Sequence, residues 1–185
     1  MHDPERIPVI IGVGQINDRP ESPDLGLDPP SLMAAALRLA EQDAGGDVLA
    51  RLDSLAIVDQ ISFRELGNLC GTLARAIGAS PGINYQSEAP HGDTPIRLLN
   101  EAANRIGSGE ITLAAVVGAE ALRTAAARAA ARTQSDGSSH NALRAAASRR
   151  EPGYLQLHGL SAPVDVYPIY ENAGRAAYGL SLIHI

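Results

Sequence analysis

The amino-acid sequence predicts an α/β fold, a mainly parallel mixed sheet with helices on both faces. Three observations carry this expectation. Short runs that read as strands, at residues 7–13, 55–58, 83–86 and 111–117, alternate with longer segments of helical periodicity. Glycines close several of those helical segments, at Gly45, Gly46 and Gly78. The spacing between runs leaves room for a crossover helix, and such crossovers are right-handed and make neighbouring strands parallel.

Taken in order, residues 7–13 form a compact apolar run ending in glycines and read as a buried first strand. Residues 17–30 are a proline-rich loop. Asp28 followed by two prolines opens a helix whose stripe is Leu32, Met33, Ala36, Leu37 and Ala40, ending near Ala44-Gly45-Gly46. Residues 55–58 are the second strand, residues 66–77 a helix stopped by Gly78, and residues 83–86 the third strand. Residues 96–107 carry Ile96, Leu99, Ala103 and Ile106 on one face, a helix that Asp93 or Thr94 can cap and Pro95 can begin. Residues 111–117 give a fourth strand. An Ala/Arg-rich helix at 122–132, a Ser/Gly-rich loop at 133–141 and an irregular stretch at 149–160 follow.

Composition narrows the function. The 185 residues are 45% hydrophobic, enough to bury one core in a soluble globular chain. With 3% aromatic residues and no Trp, that core must be built from Ala, Leu, Ile and Val. A net charge of -6 and the lack of an aromatic-and-basic motif argue against nucleic acid. The single cysteine, Cys70, excludes an internal disulfide, and no Cys/His spacing suits zinc. No run is long enough for a membrane span and no leader is visible, so a cytoplasmic location is expected. Gly12 and Gly14 follow a strand, but Asn17 stands where a dinucleotide fingerprint needs its third glycine, which favours a tight turn.

The junction from Gln86 to Pro95 reads as a strand emptying into a helix N-terminus, where unpaired N–H groups favour negative charge. Together with Val9-Ile-Ile-Gly-Val-Gly-Gln15, Gly92 to Ala102, Gly109 and Val116-Val-Gly-Ala-Glu-Ala121, it resembles the N-terminal half of a thiolase. The resemblance is strongest to bacterial thiolase-like proteins of the sterol-carrier-protein type labelled acetyl-CoA acetyltransferases, and it covers most of residues 6–180. It implies a thiolase-like half-fold with a loop-domain insertion, and acyl-CoA, a coenzyme A thioester, as substrate with no resident cofactor or metal.

In thiolases this strand ends in Cys-x-x-Gly and the cysteine takes the acyl group. Aligning that glycine on Gly92 places Ala89 in the nucleophile slot, so no catalytic residue is assigned. The substrate-binding candidates are Ala89, His91, Gly92 and Asp93. His91 can hydrogen-bond a thioester carbonyl or act as a base, or it is an exposed turn histidine. Asp93 reads as a helix cap, because a carboxylate there would repel an anionic intermediate. Cys70 reads as a packing thiol. Arg123, Arg128, Arg132, Arg144, Arg149 and Arg150 either meet coenzyme A phosphates or form a solvated helical face.

Residues 180–185, Leu-Ser-Leu-Ile-His-Ile, break the preceding helical pattern and match translated sequencing-adapter nucleotides, so they read as a non-native tail. The resemblance implies a core at 1–121 and a loop-domain insertion and following helix at 122–179. It also implies a missing C-terminal thiolase half, which in that family supplies a histidine and a second cysteine, and a possible homodimer of the intact protein. Two function classes follow: a truncated thiolase-like protein without covalent thiolysis, or a non-catalytic CoA-ester or lipid-binding partner. A retro-aldol lyase of the same superfamily is a further alternative.

Overall fold

A computed structural model describes residues 6–89, 91–135, 153–160 and 162–181. The chain divides into two compact units, residues 1–136 and 137–185. The first holds the sheet and four helices: α1 (Pro29–Ala44), β1 (Ser54–Val58), α2 (Cys70–Ile77), β2 (Ile83–Gln86), α3 (Thr94–Ser108), β3 (Ala114–Gly118) and α4 (Leu122–Ser135). Within the second, the described residues form a short α5 (Tyr154–Leu157) and α6 (Pro163–Tyr178).

The three strands are all parallel in the order β2-β1-β3, with Ile57 opposite both Gln86 and Val117. Leu55 and Ile57 point to one face and are fully buried under α1 and α2, in a cluster with Met33, Leu37, Leu73 and Ile77. α3 packs on β1 and β3 without joining that cluster, so it covers the opposite face. The sheet is thus a parallel α/β layer with helices on both sides, as the alternation of runs predicts.

Local chemistry explains most element boundaries. Asp28 caps α1 by accepting from the Ser31 N–H at 3.0 Å, Pro29 sits in the first turn where its missing donor costs nothing, and Gly45 ends the helix at φ 76°. β2 and the C-terminal stop of α2 at Gly78, φ 71°, fall where the residues indicate.

The expected first strand is absent. Residues 7–13 pair with no strand among the described residues, and Ile7, Val9 and Ile10 are 64%, 71% and 69% exposed. The segment instead lies against α1 on its glycines: a Cβ on Gly12 would collide with the Ala40 carbonyl oxygen, and one on Gly14 with that of Ala36. The Val13 N–H donates to Asp43 Oδ2 at 2.9 Å. The glycines therefore mark a close approach to a helix and not the end of a strand.

α2 begins at Cys70 and not at residue 66, because a 3-10 turn at Arg64–Leu66 ends at Gly67, φ 61°, which breaks the helical path. α4 belongs to the first unit: Arg123 Nη1 donates to the Pro20 carbonyl, and Arg128 donates to the carbonyls of Asp24 and Gly26. In the second unit α5 interrupts a stretch expected to be irregular, and α6 spans the expected helix. The rest of the Ser/Gly-rich loop beyond residue 135, Arg144, Arg149 and Arg150, and residues 182–185 of the tail lie outside the described residues. No helix among the described residues is long and apolar enough to cross a membrane.

Candidate functional site

Parallel sheets leave a crevice at the carboxyl ends of their strands, where the chain turns away to either face. Here the ends of β1 and β2 carry Asp59-Gln60 and Gln86-Ser87, and a cavity of about 360 Å³ opens between them. Its walls are Asp59 and Gln60 after β1, Arg64, Gly67 and Asn68 before α2, and the run Gln86 to Ala89 after β2.

Gln86 joins three walls. Its Nε2 donates to Asp59 Oδ1 at 2.8 Å and to the Gly67 carbonyl at 3.2 Å, while its Oε1 accepts from the Leu69 N–H at 2.7 Å. Ser87 is buried; its N–H donates to the Ile57 carbonyl, its Oγ accepts from the Asp59 N–H at 2.8 Å and donates to the Ala89 carbonyl at 3.2 Å. These bonds hold the turn that carries Ala89 against the end of β1. The neighbouring loop is fixed by buried Gln60, which pairs both backbone groups of Phe63, and by Glu120, which accepts from the N–H groups of Ile61 and Ser62.

Ala89 is half-buried and lines the cavity. His91, Gly92 and Asp93 do not: all three are exposed, so of the four candidates from the sequence only Ala89 stands in the cavity wall. The chain leaves through a tight turn in which the His91 N–H donates to the Ala89 carbonyl and the Thr94 N–H to the His91 carbonyl. Asp93 occupies the cap position of α3, but its side chain makes no capping bond, in contrast to the expectation that its carboxylate holds the free N–H groups. Its carbonyl accepts from the Arg97 N–H instead.

Cys70 is buried at the start of α2, and burial pushes its thiol pKa up, which suits packing and not attack. Arg128 is committed to backbone carbonyls and lies 5.7 Å from the centroid of the Phe63 ring, a structural use of one arginine from the basic zone. The described residues contain no group of three or more His, Cys, Asp or Glu side chains suited to a metal ion. Asp59, Arg64 and Asn68 lie outside the junction on which the sequence reading centres, and Gln86 and Glu88 lie within it without an assigned role. The polar pairs at the carboxyl ends of two strands, Asp59-Gln60 and Gln86-Ser87, are the signal that points to them.

A parallel three-stranded layer flanked by helices, with a polar crevice at its strand ends, defines an α/β protein. No family model matches the chain, and no curated protein matches it. Among solved structures it is similar to a monomeric SCP2-thiolase-like protein type 1 from Mycobacterium smegmatis, at 30% identity and a TM-score of 0.50. The match covers 63% of this chain and 23% of that one, so the chain spans less than a quarter of its length. The fold is thiolase-like.

Proposed function

We propose that this chain is the N-terminal part of a thiolase-like protein that binds acyl-CoA thioesters at the carboxyl ends of β1 and β2 without forming an acyl-enzyme. The observation that carries the reading is Ala89 in the wall of the strand-end cavity. A methyl group there offers no lone pair to a thioester carbon, and losing a covalent nucleophile costs many orders of magnitude in rate. His91, Gly92 and Asp93, exposed just beyond the turn, would meet the thioester at the rim. Coenzyme A would enter as substrate or ligand, not as a resident group.

A second reading has its own support. Asp59 and Glu88 line the cavity with two carboxylates, and a carboxylate can take the proton of a β-hydroxyl group while the Cα–Cβ bond breaks in a retro-aldol cleavage. Calorimetric titration with acetyl-CoA and butyryl-CoA, beside a CoA-dependent thiolysis assay and intact-mass analysis for acyl adducts, tests the proposal. Binding with neither thiolysis nor adduct supports it. Thiolysis, or an adduct on the chain, overturns it.

A further inference from the structure

We infer that the cavity beside Ala89 takes a short, uncharged acyl group bearing a hydroxyl, and discriminates against both aliphatic chains and acidic acyl groups. The inference rests on the reading of this site as a CoA-ester site and specifies what the ester carries. The polarity of the wall is its first support. Apart from Gly67 and Ala89, every residue lining the cavity is polar or charged. An alkyl chain laid there would strip water from those groups and return no hydrogen bonds.

The second support is which polar groups are already used. Gln60, Gln86 and Ser87 are committed to neighbouring backbone and to Asp59. Among the described residues, Arg64 and Glu88 make no hydrogen bond or ion pair, and Asn68 uses only its Oδ1, accepting from the Cys70 N–H. Asp59 engages one carboxylate oxygen with Gln86. The free wall therefore offers carboxylate acceptors from Asp59 and Glu88, and donors from Arg64 and the Asn68 amide. A hydroxyl, which both donates and accepts, matches that set.

Size and charge supply the rest. A volume near 360 Å³ leaves room for a short acyl group together with bridging waters, and the exclusion of longer aliphatic chains rests on the polarity of the wall. Two carboxylates against one guanidinium leave the wall net negative, so a second carboxylate on the ligand would meet repulsion.

The test is calorimetric titration of the chain with 3-hydroxybutyryl-CoA, butyryl-CoA, octanoyl-CoA and glutaryl-CoA. A site that hydrogen-bonds a hydroxyl rejects the analogue lacking it, and the expected preference for the hydroxy ester over butyryl-CoA is about tenfold. In a Glu88→Leu, Asp59→Asn double variant, shown folded by its thermal midpoint, that preference should fall to about twofold or less. Octanoyl-CoA or butyryl-CoA binding as tightly as the hydroxy ester would overturn the inference and leave the CoA-ester reading intact. An undiminished preference in the double variant would overturn the assignment to these carboxylates. Failure of all four esters to bind would remove the CoA-ester reading, and this inference with it.

Discussion

Replacing Gln86 by Leu tests whether the candidate cavity is a built feature or an accident of loops. The substitution removes the amide and deletes three hydrogen bonds at once, to Asp59 Oδ1, the Gly67 carbonyl and the Leu69 N–H. Leu69 is 2% exposed, so its N–H loses its acceptor at a site with little access to water. A neutral bond contributes about 0.5–1.5 kcal/mol and one to a charged group about 1.5–3 kcal/mol. Gln86 is only half-buried and the Gly67 bond is exposed and long, so the lower part of that sum applies. The expected loss is about 2.5–3.5 kcal/mol, read as a shift in the urea midpoint at unchanged slope. A double-mutant cycle with Asp59→Ala should return a coupling of about 1 kcal/mol. A loss below about 0.5 kcal/mol, the level of an ordinary surface change, would show that Gln86 does not hold the walls together.

Four further outcomes are expected. Leu73→Ala, at a fully buried position on the sheet-facing side of α2, should cost about 2–5 kcal/mol in urea unfolding through lost burial and a cavity. Gly14→Ala would push a Cβ into the backbone of α1, and hydrogen exchange should show the Val13 amide losing the protection that Asp43 gives it. The Asp53 carboxyl is held below its usual pKa by the Thr112 N–H and hydroxyl and by the Leu113 N–H. Its folded pKa is depressed, so its contribution is present above the unfolded carboxylate pKa and is lost as pH falls through the folded one; Asp53→Ala should flatten the acid side of a stability-against-pH curve. Iodoacetamide should label the native chain slowly at neutral pH, because Cys70 is buried with a raised pKa, whereas Ala89→Cys should add one rapidly labelled site in the cavity wall.

The elements that the sequence makes legible are those whose boundaries are set by neighbours along the chain. α1 has its cap at Asp28, its proline at the first turn and its glycine at the end, and the structure uses all three. The start of α2 is different, because the N–H groups of Leu69 and Cys70 are paired by the side chains of Gln86 and Asn68. Gln86 is seventeen residues away from Leu69, and no local pattern records that bond. The site divides in the same way. Ala89 is visible as the residue in a family slot, while Asp59 and Arg64 become its neighbours only once β1 and β2 pair. The run at 7–13 shows the opposite error. Its composition suits a strand, but a strand exists through its ladder, and Gly12 and Gly14 seat the backbone on a helix instead.

The orientation of α3 explains why one member of the Ala89 to Asp93 run reaches the cavity and the others do not. Its sequence suggests a single apolar stripe through Ile96, Leu99, Ala103 and Ile106, yet Ile96 is 62% and Leu99 40% exposed. The buried positions are Thr94 and Leu98, one helical turn apart and facing β1 and β3. The helix is apolar on two faces, and periodicity alone does not choose between them. Once Thr94, at 1% exposure, is fixed against the sheet, the three residues before it must climb from the strand end to the start of the helix. They do so through the turn closed by the His91 and Thr94 N–H groups, which carries His91, Gly92 and Asp93 outward and leaves Ala89 behind against Ser87. Which residue faces the cavity is therefore decided by how α3 sits on the sheet. A substitution at Leu98, remote in sequence from Ala89, should alter the labelling rate of an Ala89→Cys thiol, and an unchanged rate would show that the turn is set by Ser87 alone.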